Sequence, residues 1–294
     1  MLLTSKERPQ ADETAARVQG AFHRQGWHVE TACIDTLALD AGTTRVDTPR
    51  GRVRLADVDL LWVLGFGRAA TFLDKMQLLA ALPARVPFVN AVSALLTLHA
   101  KYPIADAGDA FPQPETHAAH DADALAAVAR RAGGRWVLKP PAGSFGRGVT
   151  VAEAGSDRLL EAARALTEGG RYALLQRWCP EVLQEETRVL IAGGSVVGCY
   201  ARERAAGADA ANLSAGGRPV PAKEDPARDA LASRAAALLA ERGVQFAGLD
   251  VAGPWILEAN VINPGGVATL EALGDVGVAD RIVERLLTAC TGTR

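Results

Sequence analysis

The sequence predicts an α/β protein whose later part takes on α+β character. Three observations carry this expectation. Helix-like and strand-like stretches alternate through the first third of the chain, the order that builds a parallel sheet with crossover helices. A glycine-rich loop, Pro141 to Gly148, separates two short apolar runs. Two later pairs of apolar runs meet at Gly193-Gly194 and at Gly253-Pro254, as antiparallel neighbours do.

Asp12 to Gln25 has a helical apolar pattern that Gly26 is placed to stop; WHVETA then reads as a strand and DLLWVL, 59 to 64, as a more buried one. A helix over 70–81 ends before Pro83, and the short strand PFVN leads into a helix from Ala91 to His99. Pro103 and ADAGDAFPQPET break the chain. The expected division is therefore an N-terminal α/β domain over 1–100, a central subdomain over 101–175 and a C-terminal subdomain over 176–294. The central part has a helix from Asp123 to Arg131 closed by Gly133-Gly134, then RWVLKPPAGSFGRGVTVAEA as strand, loop and strand, then a helix capped by Ser156 that runs to Glu168. YALLQRW and TRVLIAGGSVVGCYAR supply further strands. Asp225 caps a helix with Pro226 in its first position and Gly243 at its end; FAGLDVAGPWILEANV is a strand pair, and a closing helix runs to about Leu287.

With 294 residues, 49% of them hydrophobic and 22% charged, the chain is long enough for two or three packed units of ~100 to 150 residues, which excludes disorder. A net charge of −2 leaves no basic field for nucleic acid or anionic lipid. No apolar run approaches the ~20 residues of a membrane span, and MLLTSKERPQADE turns polar too early for a signal peptide, so a cytoplasmic protein is expected. Cys33, Cys179, Cys199 and Cys290 form no CxxC pair, so any metal has to be held by oxygen. Only five of the 32 basic residues are lysines: Lys6, Lys75, Lys101, Lys139 and Lys223. An ammonium is a compact point charge, and an arginine-rich chain that keeps it at a few positions draws attention to them.

Two features point to chemistry. In the loop Pro141 to Gly148, Gly143, Gly146 and Gly148 let backbone N–H groups approach an anion, and Lys139 ends the strand just before it; a plain hairpin loop is the alternative. No GK[ST] follows, so this is not a Walker A loop. On the later strand pair Glu258 and Asn260 share a face, and the short turn brings Asp250 level with position 257 or 258. Two carboxylates ~4 Å apart repel by roughly 4 kcal/mol at an effective dielectric near 20, so the trio wants a hard cation such as magnesium, the alternative being solvated carboxylates on an edge strand. Two further patterns are weaker. Gly65, Gly67 and Ala70 imitate a dinucleotide fingerprint with no acid near position 88, and His117, His120 and Asp121 could ligate zinc but stand in a polar linker without further ligands. No GxSxG nucleophile elbow occurs.

FVN at 88 to 90 before a helix and Lys101, VLKPPAGSFGRGV, LLQRWCPE, EETRVLIAGG, YARERAAGADAANLSAGGR and GVQFAGLDVAGPWILEANVINP occur in this order. With these blocks the chain resembles the ATP-grasp ligases, and among them bacterial glutathione synthetase, over roughly residues 86 to 275. The resemblance implies an ATP-grasp fold: an N-terminal parallel α/β (pre-ATP-grasp) domain, a central lid subdomain and a C-terminal antiparallel-sheet subdomain. It implies that Lys101 and Lys139 bind ATP phosphates beneath a loop with Gly143, Ser144, Phe145, Gly146 and Gly148. Gln176, Arg177, Trp178 and Cys179 would form the adenine-side hinge, with Glu186 near the ribose. Asp250, Glu258 and Asn260 would hold Mg2+, or Mn2+ in its place. Arg188 and Arg202 would act catalytically on the transferred phosphoryl group and an acyl phosphate. Asn212, Gly216, Gly217, Arg218, Asn263 and Gly265 would meet the substrate.

The implied activity is ATP-dependent amide formation between a small carboxylic acid and an amine, either an amino acid or a peptide, with a protein acceptor left open and neither nucleic acid nor membrane as partner. The resemblance also implies a homo-oligomer; the apolar helix 70–81 is a candidate surface, although core packing accounts for it equally well. Where the family reads G-E-T-R-G-N this chain reads G-A-D-A-A-N, with Ala208 and Ala210 in place of the charged pair, and the family's V-T-S-P-T is Val261-Ile262-Asn263-Pro264-Gly265 here. The nucleotide half is intact and the substrate half altered. A non-catalytic ATP-binding module of the same fold and an NAD-dependent oxidoreductase built on Gly65 and Gly67 are the competing readings.

Overall fold

Strand β1 (Leu2–Thr4) starts a parallel sheet that helix α1 (Glu13–Arg24), strand β2 (Thr31–Cys33), strand β6 (Leu61–Val63), helix α2 (Phe72–Ala80), strand β7 (Phe88–Val89) and helix α3 (Val92–Leu98) complete, in the order β2-β1-β6-β7. Between β2 and β6 the chain inserts an antiparallel meander of β3 (Ala38–Asp40), β4 (Thr43–Thr48) and β5 (Gly51–Arg54). The computed structural model describes residues 1–5, 13–143, 146–203 and 217–292. Neither the meander nor β1 is predicted from the sequence, and the strand expected over WHVETA is confined to Thr31–Cys33. The reason is the partner: β1 offers three residues to pair with, and Trp27 is held instead against Phe22, with ring centroids 6.2 Å apart.

The central sheet is antiparallel. Strand β8 (Thr116–Ala119), helix α4 (Ala122–Ala132), strands β9 (Arg135–Lys139) and β10 (Thr150–Glu153), helix α5 (Asp157–Thr167) and strand β11 (Ala173–Arg177) give the order β10-β9-β11-β8, with both helices packed through Leu125, Ala129, Leu159 and Ala163 on Trp136, Leu138 and Leu175. The expected cap Ser156 is present, accepting from the Leu159 amide, and α4 has a cap the sequence reading does not name, Asp121, which accepts from the Asp123 and Ala124 amides. The expected polar linker HAAHD is in fact strand and cap, because pairing with β11 satisfies its backbone.

The third sheet is formed by β12 (Glu186–Ala192), β13 (Ser195–Glu203), β14 (Arg218–Pro221), β15 (Phe246–Ala252) and β16 (Trp255–Asn260), in the order β14-β13-β12-β15-β16. Helix α6 (Pro226–Glu241) buries Leu231, Ala235 and Leu239 against Val189, Ile191, Leu249 and Val251 on one face. The other face is divided. At one end Leu190, Ala192, Tyr200 and Phe246 pack with α1 and with helix α8 (Val278–Thr291). At the other end lie Glu186, Arg188, Arg202 and Asp250, all buried and all charged. The closing helix expected from the sequence is two helices, α7 (Val267–Ala272) and α8, separated where Gly274 takes a φ of +104°. Among the described residues no helix is long and apolar enough to cross a membrane.

The first and third sheets share a core. Trp62 of β6 sits edge-on between Phe22, at 6.4 Å, and Phe246 of β15, at 5.0 Å. Beside it the buried amide of Asn90 donates to the Phe246 and Val261 carbonyls at 2.7 and 2.6 Å and accepts from the Gln245 and Phe246 amides at 2.6 and 2.7 Å. All its hydrogen-bonding capacity is spent on holding β15 and the end of β16 to the first sheet. Asn90→Leu strands four backbone groups in a buried joint, and urea unfolding should show a loss of about 3 kcal/mol or more.

Candidate active site

Strand register assembles the site. Glu186 lies opposite Arg202, Arg188 opposite Asp250, and Asp250 opposite Glu258, so these side chains share one face of the third sheet. Asp250 accepts from Arg188 Nε at 2.6 Å and Nη2 at 3.1 Å, a two-pronged pair, and Arg202 Nη1 stands 3.3 Å from its Oδ1. Arg202 also donates to Glu186 at 2.6 Å. Between them, at Gly248, a Cβ would meet Pro264 Cβ at 2.6 Å and Arg188 Cδ at 3.0 Å. Glycine is required there for the Arg188 side chain to cross the sheet.

The central sheet closes the site from the other side. Lys139, buried at the end of β9, donates to Gln176 Oε1 at 2.9 Å and stands 4.0 Å from Glu258 Oε2. Lys101 comes within 3.7 Å of the same oxygen and donates to the Gly143 carbonyl at 2.8 Å, which anchors the glycine loop to it. Gly146 and Gly148 have φ of +65° and +73°, a backbone that side chains rarely adopt.

The charges in this cluster perturb one another. Burial by itself would raise the Asp250 pKa, but Arg188 and Arg202 outweigh it and hold the carboxyl well below the usual carboxylate range. Glu186 moves the other way: burial and the neighbouring Asp250 charge raise it, against the opposing pull of Arg202. Burial lowers the Lys139 pKa, partly offset by Glu258.

Asp250, Glu258 and Asn260 do converge. Asn260 Nδ2 lies 3.1 Å from Glu258 Oε1 and 3.5 Å from Asp250 Oδ2. Turning that amide over would present its oxygen, giving an all-oxygen donor set with two carboxylates, which suits a hard divalent cation that keeps coordination positions for phosphate oxygens. Among the described residues no group of three or more His, Cys, Asp and Glu is arranged to hold a metal, so a cation here relies on the asparagine and on its ligand.

Other expected residues lie elsewhere. Arg177 points to the opposite face from Gln176, where it donates to Glu115 at 2.9 Å and to the Gly133 carbonyl at 2.6 Å over the Trp136 ring. Alternation along the strand accounts for this: Gln176 faces Lys139, so its neighbour cannot. Trp178 lies beneath the Arg135 guanidinium, 4.6 Å from ring centroid, and Cys179 is buried with its thiol pushed up to about 11. Glu186 belongs to the arginine cluster. Arg218 is exposed and paired with Glu203 at 2.6 Å, next to the half-buried Gly217, while Asn263 accepts from Thr14 at 2.8 Å and Gly265 has free space around it. Ser144, Phe145, Asn212 and Gly216, with Ala208 and Ala210, lie outside the described residues.

Neither weaker pattern forms a site. A Cβ at Gly65 would fall on Ser5 and one at Gly67 on the Asp35 carboxylate, which Lys75 holds at 2.5 Å; the space a pyrophosphate would need is filled by the chain itself. His117 bonds Glu115, His120 packs on Tyr172, and Asp121 caps α4. Two contributors have no sequence signal of their own, the Pro264 carbonyl that accepts from Arg188 Nη1 and Thr14, while the close approach that requires Gly248 is visible only in the fold.

The family model for the prokaryotic glutathione synthetase ATP-grasp domain matches residues 108–275. Glutathione synthetase of Prochlorococcus marinus is 35% identical over 155 residues, which are 52% of this chain and 50% of that protein. The chain thus spans about half the length of the curated relatives it matches. The likeness in fold covers nearly all of it. A RimK domain ATP-grasp protein from Sphaerobacter thermophilus superposes with a TM-score of 0.66 at 23% identity, covering 97% of this chain and 98% of the other, and the D-cycloserine synthetase DcsG with 0.68 at 19% identity, covering 97% and 98%.

The buried pair of Arg188 and Asp250 makes a stability prediction. Arg188→Met leaves Asp250 with Arg202 alone and should lower the unfolding free energy by about 3 kcal/mol near neutral pH. Folded Asp250 holds its proton more weakly than unfolded Asp250, so the pair's contribution is present above the ordinary carboxylate pKa and is lost as pH falls below it. The stability difference between the two proteins, read from denaturant titrations, should begin to narrow below about pH 4 and close only in more strongly acidic solution, below the depressed pKa of folded Asp250.

Proposed function

The chain belongs to the prokaryotic glutathione synthetase ATP-grasp family, and on that premise we propose that it is an ATP- and Mg2+-dependent carboxylate–amine ligase that forms an amide bond through an acyl phosphate. The observation that carries the reading is the convergence of Lys101, Lys139, Arg188 and Arg202 on Asp250, Glu258 and Asn260. Phosphoryl transfer asks a protein chiefly for positioning and for neutralisation of charge, and this set supplies both.

In this mechanism Lys101 and Lys139 exchange Glu258 for the phosphates, and the glycine loop tied to Lys101 covers them. Asp250, Glu258 and Asn260 would hold the cation, which when bound would neutralise phosphate charge. Arg188 and Arg202 orient the substrate carboxylate toward the γ-phosphate and then stabilise the acyl phosphate while the amine displaces phosphate. Among the described residues Arg202 Nε is buried without a partner, which leaves that N–H available to an anionic substrate. The buried, charge-lined face excludes bulk water, which would otherwise hydrolyse the acyl phosphate.

The substrate half is altered relative to glutathione synthetases: Ala208 and Ala210 replace a charged pair, and Asn263-Pro264-Gly265 replaces the family's segment after the metal-site asparagine. The substrates are a carboxylic acid and an amine of the amino acid or peptide class, other than the glutathione pair. Magnesium-dependent ADP release, measured against pools of amino acids and dipeptides, tests the reading. A defined acid and amine should stimulate release, and Lys139→Ala should reduce it about a hundredfold or more. ATP binding with no stimulation by any pool, together with Asp250→Ala and Glu258→Ala variants that behave like wild type, would sink it. γ-Glutamylcysteine with glycine should be a poor pair in the same assay; efficient glutathione synthesis would refute the altered-substrate part alone.

A further inference from the structure

Thr14 stands in the first turn of α1, in the N-terminal part of the chain outside the stretch matched by the family model, and is 1% exposed. Its hydroxyl donates to Asn263 Oδ1 at 2.8 Å. Asn263 is followed by Pro264, whose carbonyl accepts from Arg188 Nη1 and whose ring occupies the space a side chain at Gly248 would need. Gly266 then passes under the Tyr200 ring with a φ of +92°, where an added Cβ would lie 3.0 Å from Tyr200 Cε1. The segment 263–266 is therefore fixed at one end by α1 and at the other by Tyr200, with the arginine's acceptor in between.

From this geometry we infer that Thr14 and Asn263 are positioning residues for Arg188, so that helix α1 sets the orientation of a guanidinium at the phosphoryl-transfer site. Asp250 takes two N–H groups along one edge of the guanidinium, which leaves the plane free to tilt about that edge. The Pro264 carbonyl, bonded to Nη1, removes the tilt, and its own place depends on the Thr14–Asn263 bond. Two N–H groups, one on Nη1 and one on Nη2, then point in a fixed direction for a substrate anion. The same surfaces are also joined by Glu13, which accepts from the Ala268 amide at 3.0 Å, and by the Arg17–Glu271 pair at 2.7 Å. Loss of the Thr14 hydroxyl alone therefore leaves α1 attached to α7.

The inference rests on the ligase reading for its catalytic consequence, and its test separates the two. In the full-length protein, labelled with 15N, the Arg188 Nε–H signal is assigned by its disappearance in Arg188→Lys. Thr14→Val should shift or broaden that signal and speed its exchange with water, whereas Thr14→Ser, which keeps the hydroxyl, should restore it. An Arg188 signal identical in wild type and Thr14→Val overturns the inference, whatever the protein turns over. With an acid and amine that stimulate ADP release, Thr14→Val should lower kcat about tenfold with the KM for ATP within about twofold, and should add little in the Arg188→Lys background. A fall in melting temperature with unchanged Arg188 signal and unchanged kcat would mean a merely structural hydroxyl. A perturbed signal in a protein that no substrate pool stimulates would uphold the positioning and leave the ligase reading as the one that failed.

Discussion

Charge compensation in a space with little water governs this structure. Asp250 and Glu186 are both below a tenth exposed, as are Arg188, Arg202 and Lys139. None of these groups is tolerable there alone, since an unpaired buried charge costs several kcal/mol. The sheet solves the problem by register, placing a cation opposite an anion at Glu186–Arg202 and at Arg188–Asp250, so that the strands can pair only in the arrangement that also neutralises the site. Specificity of register and construction of the candidate site are here the same interaction.

That requirement explains the divided face of the third sheet. Toward Leu190 and Phe246 it is an ordinary apolar surface covered by α1, α8 and Trp62. Toward Glu186 and Asp250 it is a charged floor under the end of the central sheet, which brings Lys139 and the glycine loop anchored to Lys101. The N-terminal sheet takes part through the buried Asn90 amide, and through α1, whose first turn reaches the segment that holds Arg188. The site is a property of all three sheets together.

In the protein as described, the groups expected to bind phosphate and metal satisfy one another. Lys101 and Lys139 face Glu258, and the arginines face Asp250 and Glu186. On the proposed reading a triphosphate with its cation would offer charges in exchange, so binding would replace one charge-compensated set of contacts with another and need not expose any charge to an apolar wall. The raised pKa of the Glu186 carboxyl and the depressed one of Asp250 mark the two sides of that balance.

Much of this protein was legible in the sequence. The helices over α1, α4, α5 and α6 followed from apolar period, from the closing glycines and from the caps Ser156 and Asp225, because these signals are local. The facing of Asp250, Glu258 and Asn260 followed from the two-residue period of strands and a short turn. Lys139 and the glycine loop stood out by composition. What the sequence left open is whatever depends on a distant partner. The three-residue β1 and the β3–β5 meander carry too little pattern to be read alone, and Arg177 was assigned to the nucleotide although strand alternation turns it to Glu115 and Trp136. Gly65 and Gly67 imitate a cofactor loop, yet only the fold reveals that Ser5 and Asp35 fill their cradle. Nothing local marks Thr14 or the Pro264 carbonyl, because their roles arise from contacts across 76 to 249 residues of chain at Arg188–Pro264 and Thr14–Asn263. Local period and capping chose the elements; long-range packing and the pairing of buried charge decided which of their side chains meet.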